Sequence, residues 1–312
     1  MTRRLIALAV VTFSVWGASA AYADEDLQDY LERASTAEFH AVGVVMCMWE
    51  PDSVAATYEV TRTDGMSMVH GPAGDLMLVD GLMAVQPTNG GWYAVEVGGS
   101  SDWQLADRYT LGGATPTTRL GRPASAFTVF EDGVPRLRMV VDDESRVPLL
   151  TEVLDGQGRV FRLATLIDFT SGPSTEPAKP ESYGTHEMLV PTTSMGGLPA
   201  SLDGYRRADT YGSPSGVLQG YYSDGLFSFS VFESKRRRTP DAFADATVFA
   251  LGGSSYRRLV TPSHVWVQWD SPDRSYVLVG DLPPDHLWAV LAELPKSGNR
   301  GLFVRLWRRL FG

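Results

Sequence analysis

The chain has 312 residues, a formal net charge of −10 and a single cysteine, Cys47. One cysteine excludes an intrachain disulfide framework. The charge is uneven, with 10 Lys and Arg against 23 Asp and Glu in residues 24–170, and four arginines with no acid in residues 297–312. An acidic body lacks the positive footprint that a phosphate backbone requires, so nucleic acid is excluded as a partner.

At the N-terminus, Arg3 and Arg4 precede an apolar run from Leu5 to Trp16, and Ala21-Tyr22-Ala23 stands before Asp24. A basic start, a short apolar core and an A-x-A site predict a cleaved signal peptide over 1–23. Export to the periplasm or another extracytoplasmic space follows. Cleavage after Ala20 and an uncleaved anchor are the alternatives, although the apolar run is short for a membrane span. The next stretch, "DEDLQDYLERASTAEF", reads as a helix, with Leu27, Tyr30, Leu31 and Ala34 on one stripe and acids in the first turn.

Strand patterns follow over 39–50, 55–63, 67–70, 75–80, 81–86 and 91–97. After a loop they resume over 123–132, 135–142, 148–155 and 159–169. Asp64-Gly65, Asp80-Gly81, Asn89-Gly90, Asp132-Gly133 and Asp155-Gly156 punctuate them as tight-turn pairs. Antiparallel hairpins behind one leading helix predict an α+β domain over 24–170. In "AVGVVMCMW" both faces are apolar, so both need cover. Either this is a central strand between a helix and the sheet, or one face, Val42, Val44, Met46 and Met48, lines an apolar cavity with adaptable methionines in its wall. Cys47, on the opposite face, reads as a small core hydrophobe.

Residues 171–197 are rich in Pro, Ser, Thr and Gly and read as a linker. A smaller α+β domain over 198–296 follows. Its strongest element is "GVLQGYYSDGLFSFSVFES", a hairpin turning at Ser223-Asp224-Gly225. Further strands are expected in "ATVFAL", "SYRRLV", "SHVWVQWD" and "SYVLVGD". Asp281, Pro283 and Pro284 mark a helix start, and Leu287, Val290, Leu291 and Leu294 form its apolar face.

Catalytic signatures are missing: the sequence holds no G-x-S-x-G, H-E-x-x-H, Walker A or G-x-G-x-x-G motif. The five histidines lack ligand spacing, so neither a metal nor a cofactor is expected, and the chain reads as a binding protein rather than an enzyme. Asp142, Asp143 and Glu144 read as a solvated turn. Lys235, Arg236, Arg237 and Arg238 read as an exposed loop tip or a docking patch for an acidic partner.

Two stretches carry a family resemblance. One is "GRPASAFTVFEDGVPRLRMVVDDESRVPLLTEVLDGQGRVFRLATLIDF". The other runs from "LPASLDGYRRAD" through "GYYSDGLFSFSVFE" to "YVLVGDLPPDHLWAVLAEL". Together, and in this order, they resemble the RseB/MucB family of sigma-E regulatory proteins. The resemblance implies a LolA-like N-terminal domain, a curved antiparallel sheet with helices on its concave side, and a smaller C-terminal domain. It implies a partner, the extracytoplasmic part of a membrane-spanning anti-sigma factor, which is shielded from proteolysis until an envelope lipid-like signal arrives. No catalytic residue and no partner-binding residue carries over. A lipid or lipoprotein carrier of LolA type is the competing function, and a hydrolase without a recognisable motif is a third.

The end of the chain, 297–312, stands outside that resemblance. On a helical wheel Leu302, Phe303, Val304, Leu306, Trp307, Leu310 and Phe311 fill one arc, and Arg305, Arg308 and Arg309 the rest. This is the pattern of a basic amphipathic tail suited to an anionic membrane surface. A helix folded back on the C-terminal domain and a partner-docking peptide are the other readings.

Overall fold

The computed structural model describes residues 37–50, 52–72, 74–79, 82–87, 93–96, 108–173, 190–194, 196–235 and 243–296. The expected signal peptide, the helix before Phe39, most of the linker, Arg236–Arg238 and the tail lie outside the described residues.

Two antiparallel sheets make up the described chain. The first has 11 strands: β1 (Phe39–Trp49), β2 (Asp52–Thr63), β3 (Met66–Gly71), β4 (Gly74–Val79), β5 (Leu82–Pro87), β6 (Tyr93–Glu96), β7 (Tyr109–Arg119), β8 (Arg122–Glu131), β9 (Val134–Asp142), β10 (Pro148–Leu154) and β11 (Val160–Ser171). The second comprises β12 (Val190–Pro191), β13 (Ser201–Leu202), β14 (Tyr205–Gly212), β15 (Leu218–Ser223), β16 (Ser228–Ser234), β17 (Thr247–Leu251), β18 (Ser254–Val260), β19 (Val265–Asp270) and β20 (Ser275–Gly280). One described helix, α1 (Pro284–Glu293), follows. The described chain is thus more sheet than the expected α+β class implies.

Turn chemistry explains much of the first sheet. Asp64-Gly65 and Asp132-Gly133 both sit at positive φ (48° and 74°, 48° and 83°), the type I′ geometry that matches strand twist. Leu120 adopts φ 52° beside Gly121, in the β7–β8 turn, where a leucine is strained. The strand β7 itself was expected as loop. Its Gly112-Gly113 pair and Pro116 depress strand propensity, and an edge position tolerates them.

The sheet order is β6-β5-β4-β3-β2-β1-β11-β10-β9-β8-β7, so β6 and β7, neighbours in sequence, lie at opposite edges.

Alternation divides β1 into two faces. Phe39, Ala41, Cys47 and Trp49 are buried, whereas Val42, Val44, Met46 and Met48 are half-buried. From Cys47 and Trp49 the buried face continues through Val153, Val141, Met139, Leu137, Val129 and Phe127 into one hydrophobic cluster with Tyr205, Tyr222, Phe229, Val267 and Trp269 of the second sheet, while Phe39 and Ala41 pack separately with Val147, Leu149 and Leu166. Helix α1 belongs to that cluster. Its Leu287, Val290 and Leu291 are fully buried, and Leu294 nearly so, as their spacing predicts. Each such side chain contributes about 1.5–3 kcal/mol through burial. Trp288 joins the sheets by edge contacts to Trp49 (6.0 Å) and Phe249 (5.0 Å). Asp281, read as the helix start, is not its cap: Pro283 holds that position without a side-chain cap, and Asp281 is buried elsewhere in the junction.

Candidate functional site

Val42, Val44, Met46 and Met48 share one face of the first sheet. Cross-strand register places Glu59, Thr57, Ala55 and Ser53 beside them on β2, and Asp168, Thr165 and Leu163 beside the first three on β11. The face runs on through Leu150 and Val140, both half-buried. On the other side it reaches Thr61, Met68 and Met77 through β2, β3 and β4. Met66, Met68 and Met77 form a buried cluster of their own. The face is mixed: half-buried Val42, Val44, Met46, Met48, Leu163, Leu150 and Val140 alternate with Glu59, Asp168, Thr57, Ser53 and a Glu152–Arg138 ion pair (3.6 Å), and Arg119 donates to Thr165 on it. Its methionines are adaptable wall residues for an apolar group. The register shift at Val42/Gly43 inserts Ile167 of β11 as a bulge beside this central strand, and Tyr58 covers Gly43 so closely that a Cβ there would meet its ring at 2.5 Å.

Lys235 is exposed just past the end of β16, and the other three residues of the expected docking loop lie outside the described residues. Asp142 corrects the expectation of a solvated turn. It is fully buried, held by Arg122 Nε (2.7 Å) and Nη2 (3.2 Å), and accepts from Ser145 N (2.8 Å) and Oγ (2.7 Å). Asp143 is half-buried and accepts from Ser125 Oγ (2.7 Å), and Glu144 is exposed. No metal-ligating group of three or more occurs among the described residues.

A second feature, which sequence reasoning missed, is the charged seam between the sheets. Glu131, at the end of β8, faces His286 Nε2 (2.9 Å), Arg108 Nε (3.1 Å) and Arg136 Nε (2.6 Å). His286 Nδ1 meets the buried Tyr205 hydroxyl at 2.6 Å. Arg108 also pairs with Asp224, which accepts from Tyr109 Oη at 2.7 Å and from the backbone of Leu226 and Phe227. Arg136 reaches Asp285 on α1 at 2.8 Å. Two further clamps lie alongside. Arg162 of β11 donates to Asp281 (3.2 Å) and to the Ser263 carbonyl (3.3 Å). Arg258 of β18 donates to Asp52 (2.8 Å) and stacks over Trp49 at 4.8 Å.

Electrostatics follow from this geometry. Burial by itself would raise the Glu131 carboxyl, but the hydrogen bond and charge of His286, with Arg108 and Arg136, outweigh it and bring the group down to about 2. Burial pushes the Cys47 thiol up to about 12 against the pull of Arg162 and Arg258, so it is an inert core group. Burial likewise pushes His264 down to about 4. Partners in the seam lie as far as 155 residues apart, as Glu131 and His286 do, so no local spacing could have disclosed them. Asp224 was visible only as a turn residue.

No family model matches the chain, and neither does any curated protein. Solved structures do. The structure of the Pseudomonas aeruginosa MucA/MucB complex matches at TM-score 0.51 and 18% identity, over 85% of this chain and 96% of that one. MucB in complex with MucA(peri) gives TM-score 0.48 at 19% identity, over 86% and 99%. MucB alone gives 0.49 at 18%, over 88% and 99%. At such identities the likeness is one of fold, and the first comparison carries it. That match spans 85% of the chain: the chain has an RseB/MucB-like fold.

Proposed function

We propose that this chain is an exported regulatory binding protein of RseB/MucB type. It holds the extracytoplasmic part of a membrane-spanning anti-sigma factor and lets go when an envelope lipid-like molecule binds. The observation that carries this reading is the fold shared with MucB, solved in complex with MucA, across nearly the whole of that chain. The face of Val42, Val44, Met46 and Met48 is the lipid face in this reading, and the antiparallel order of its sheet supports a LolA-like first domain. The division into 24–170, a linker over 171–197 and 198–296 is part of the same proposal, with the described strands of the second sheet beginning at Val190, within the linker span. The segment 297–312 rests on the anionic membrane surface nearby. None of the described helices is long and apolar enough to cross a membrane.

The seam bears on mechanism. A shared hydrophobic core with buried ion pairs beside it moves its two sides together, unlike loosely tethered domains. A lipid on the first sheet and a partner elsewhere are then coupled through one body, and the coupling is reciprocal. The test is direct. Immobilised chain is titrated with the purified extracytoplasmic segments of the anti-sigma factors of its own cell, with and without envelope lipid extract. Binding weakened by lipid, and restored by Val44→Glu, is expected; no binding to any of them overturns the proposal.

A second reading, a lipid or lipoprotein carrier of LolA type, is favoured by the same half-buried face. Lipid transfer between vesicles without any protein partner would select it.

A further inference from the structure

Strand β17, Thr247–Leu251, closes one edge of the second sheet, with β18 on one side and no strand on the other among the described residues. Its backbone geometry is settled by the turn that follows. Gly252 (φ 56°) and Gly253 (φ 79°) make a two-residue hairpin, so Leu251 and Ser254 form the hydrogen-bonded pair that flanks it. Alternation then assigns Phe249↔Tyr256 and Thr247↔Arg258 to hydrogen-bonded pairs as well. The N–H and C=O groups of Val248 and Ala250 point away from β18, toward the open edge. Their side chains are exposed too, Val248 at 64% of its free surface.

Edges of this kind invite a further strand, and proteins usually blunt them with proline, charge, a bulge or brevity. The other edges here are treated so. In the first sheet, β7 carries Pro116 and a register shift at Gly112, and β6 is four residues long and ends on Glu96. In the second sheet, β12 is two residues long and contains Pro191. The segment "TVFAL" has no proline, glycine, bulge or charge. It is also rigidly backed. Phe249 stacks on Tyr256 at 5.3 Å and meets Trp288 edge-on at 5.0 Å, so the edge is held in strand form before anything binds.

We infer that β17 is a docking edge for an extended segment of a protein partner, which joins the second sheet as an added antiparallel strand. Only a polypeptide backbone offers donors and acceptors at the spacing of Val248 and Ala250. The uncharged flank selects a segment with a small or apolar residue beside Val248. The inference rests on the proposed function solely for the choice of probe.

Synthetic peptides of about 15 residues, long enough to form one added strand, are made to tile the extracytoplasmic segments of the cell's single-span membrane proteins. They are titrated against the intact chain by fluorescence anisotropy. A binding peptide should lose at least about tenfold in affinity with Val248→Lys, which places a charge on the edge, and with Ala250→Pro. The proline removes an outward N–H without touching a β17–β18 hydrogen bond. The same peptide should slow hydrogen exchange at the amides of Val248 and Ala250. If Ala250→Pro fails to fold, Val248→Lys and the exchange data decide. Unchanged affinity in the variants overturns the inference. So does failure of every peptide while an intact partner still binds, which leaves the regulator reading standing. A dimer of the free chain that Val248→Lys disrupts while peptide affinity stays unchanged also overturns it, assigning the edge to self-pairing.

Discussion

Replacing Glu131 by glutamine tests how the two sheets are joined. The carboxylate is almost wholly buried and faces one imidazole and two guanidinium groups from 2.6 to 3.1 Å. Its fall from 4.5 to about 2 corresponds to about 3 kcal/mol of favourable interaction at neutral pH, at about 1.4 kcal/mol per unit. Breaking a buried ion pair costs about 3–5 kcal/mol by itself. The lower figure applies here, because Arg108 keeps Asp224 and Arg136 keeps Asp285. The sign with pH is set by the direction of the shift. A carboxyl lowered in the folded state stabilises above its unfolded value, and that contribution is lost as pH falls from about 4.5 toward 2. Urea unfolding at pH 7 should therefore show Glu131→Gln less stable by about 3 kcal/mol. From pH 5 to pH 2 the wild type should lose that margin, and the two curves should converge. A deficit under about 1 kcal/mol at pH 7, or parallel curves down to pH 2, would refute the claim that this carboxylate ties the sheets together.

Three further outcomes are expected. Gly43→Ala drives a methyl into the Tyr58 ring beside the β11 bulge and should destabilise by about 1–3 kcal/mol, read by thermal unfolding. Leu120→Gly relieves a positive φ at an exposed turn and should raise stability by up to about 1 kcal/mol, whereas Leu120→Val should lower it. Cys47, with its thiol pushed up to about 12, should resist alkylation at pH 8 in the native chain and react within minutes in denaturant; fast native labelling would mean that the seam opens readily.

The seam also gives the regulatory reading its physical content. Trp49, Trp288 and Phe249 form an aromatic chain across the sheets, with Arg258 laid over Trp49. The buried charges around Glu131 demand one register between the sheets, since a shifted arrangement would leave guanidinium groups unpaired in the interior. Cys47 and Trp49, on the face of β1 opposite Met46 and Met48, lie in this shared core.

Period and turn chemistry were enough to locate most strands, because each depends on residues a few positions apart. The alternation in "AVGVVMCMW" disclosed the central strand, Asp64-Gly65 and Asp132-Gly133 the hairpins, and Leu287, Val290 and Leu291 the helix face. The strand β7 escaped notice, since glycine and proline argue against a strand unless it lies at an edge, and edge position is a property of the whole sheet. So is burial of charge. Asp142 looks solvated until Arg122 covers it; Asp224 reads as a turn residue and Asp281 as a helix start, and neither these nor Glu131 show their buried partners until the second sheet closes on them. The sequence alone thus determined where strands and turns form, through forces that act locally. The tertiary structure decided which face became core, which stayed half-buried, and which carboxylates were drawn into the seam, because desolvation and pairing depend on groups that the chain brings together across more than a hundred residues.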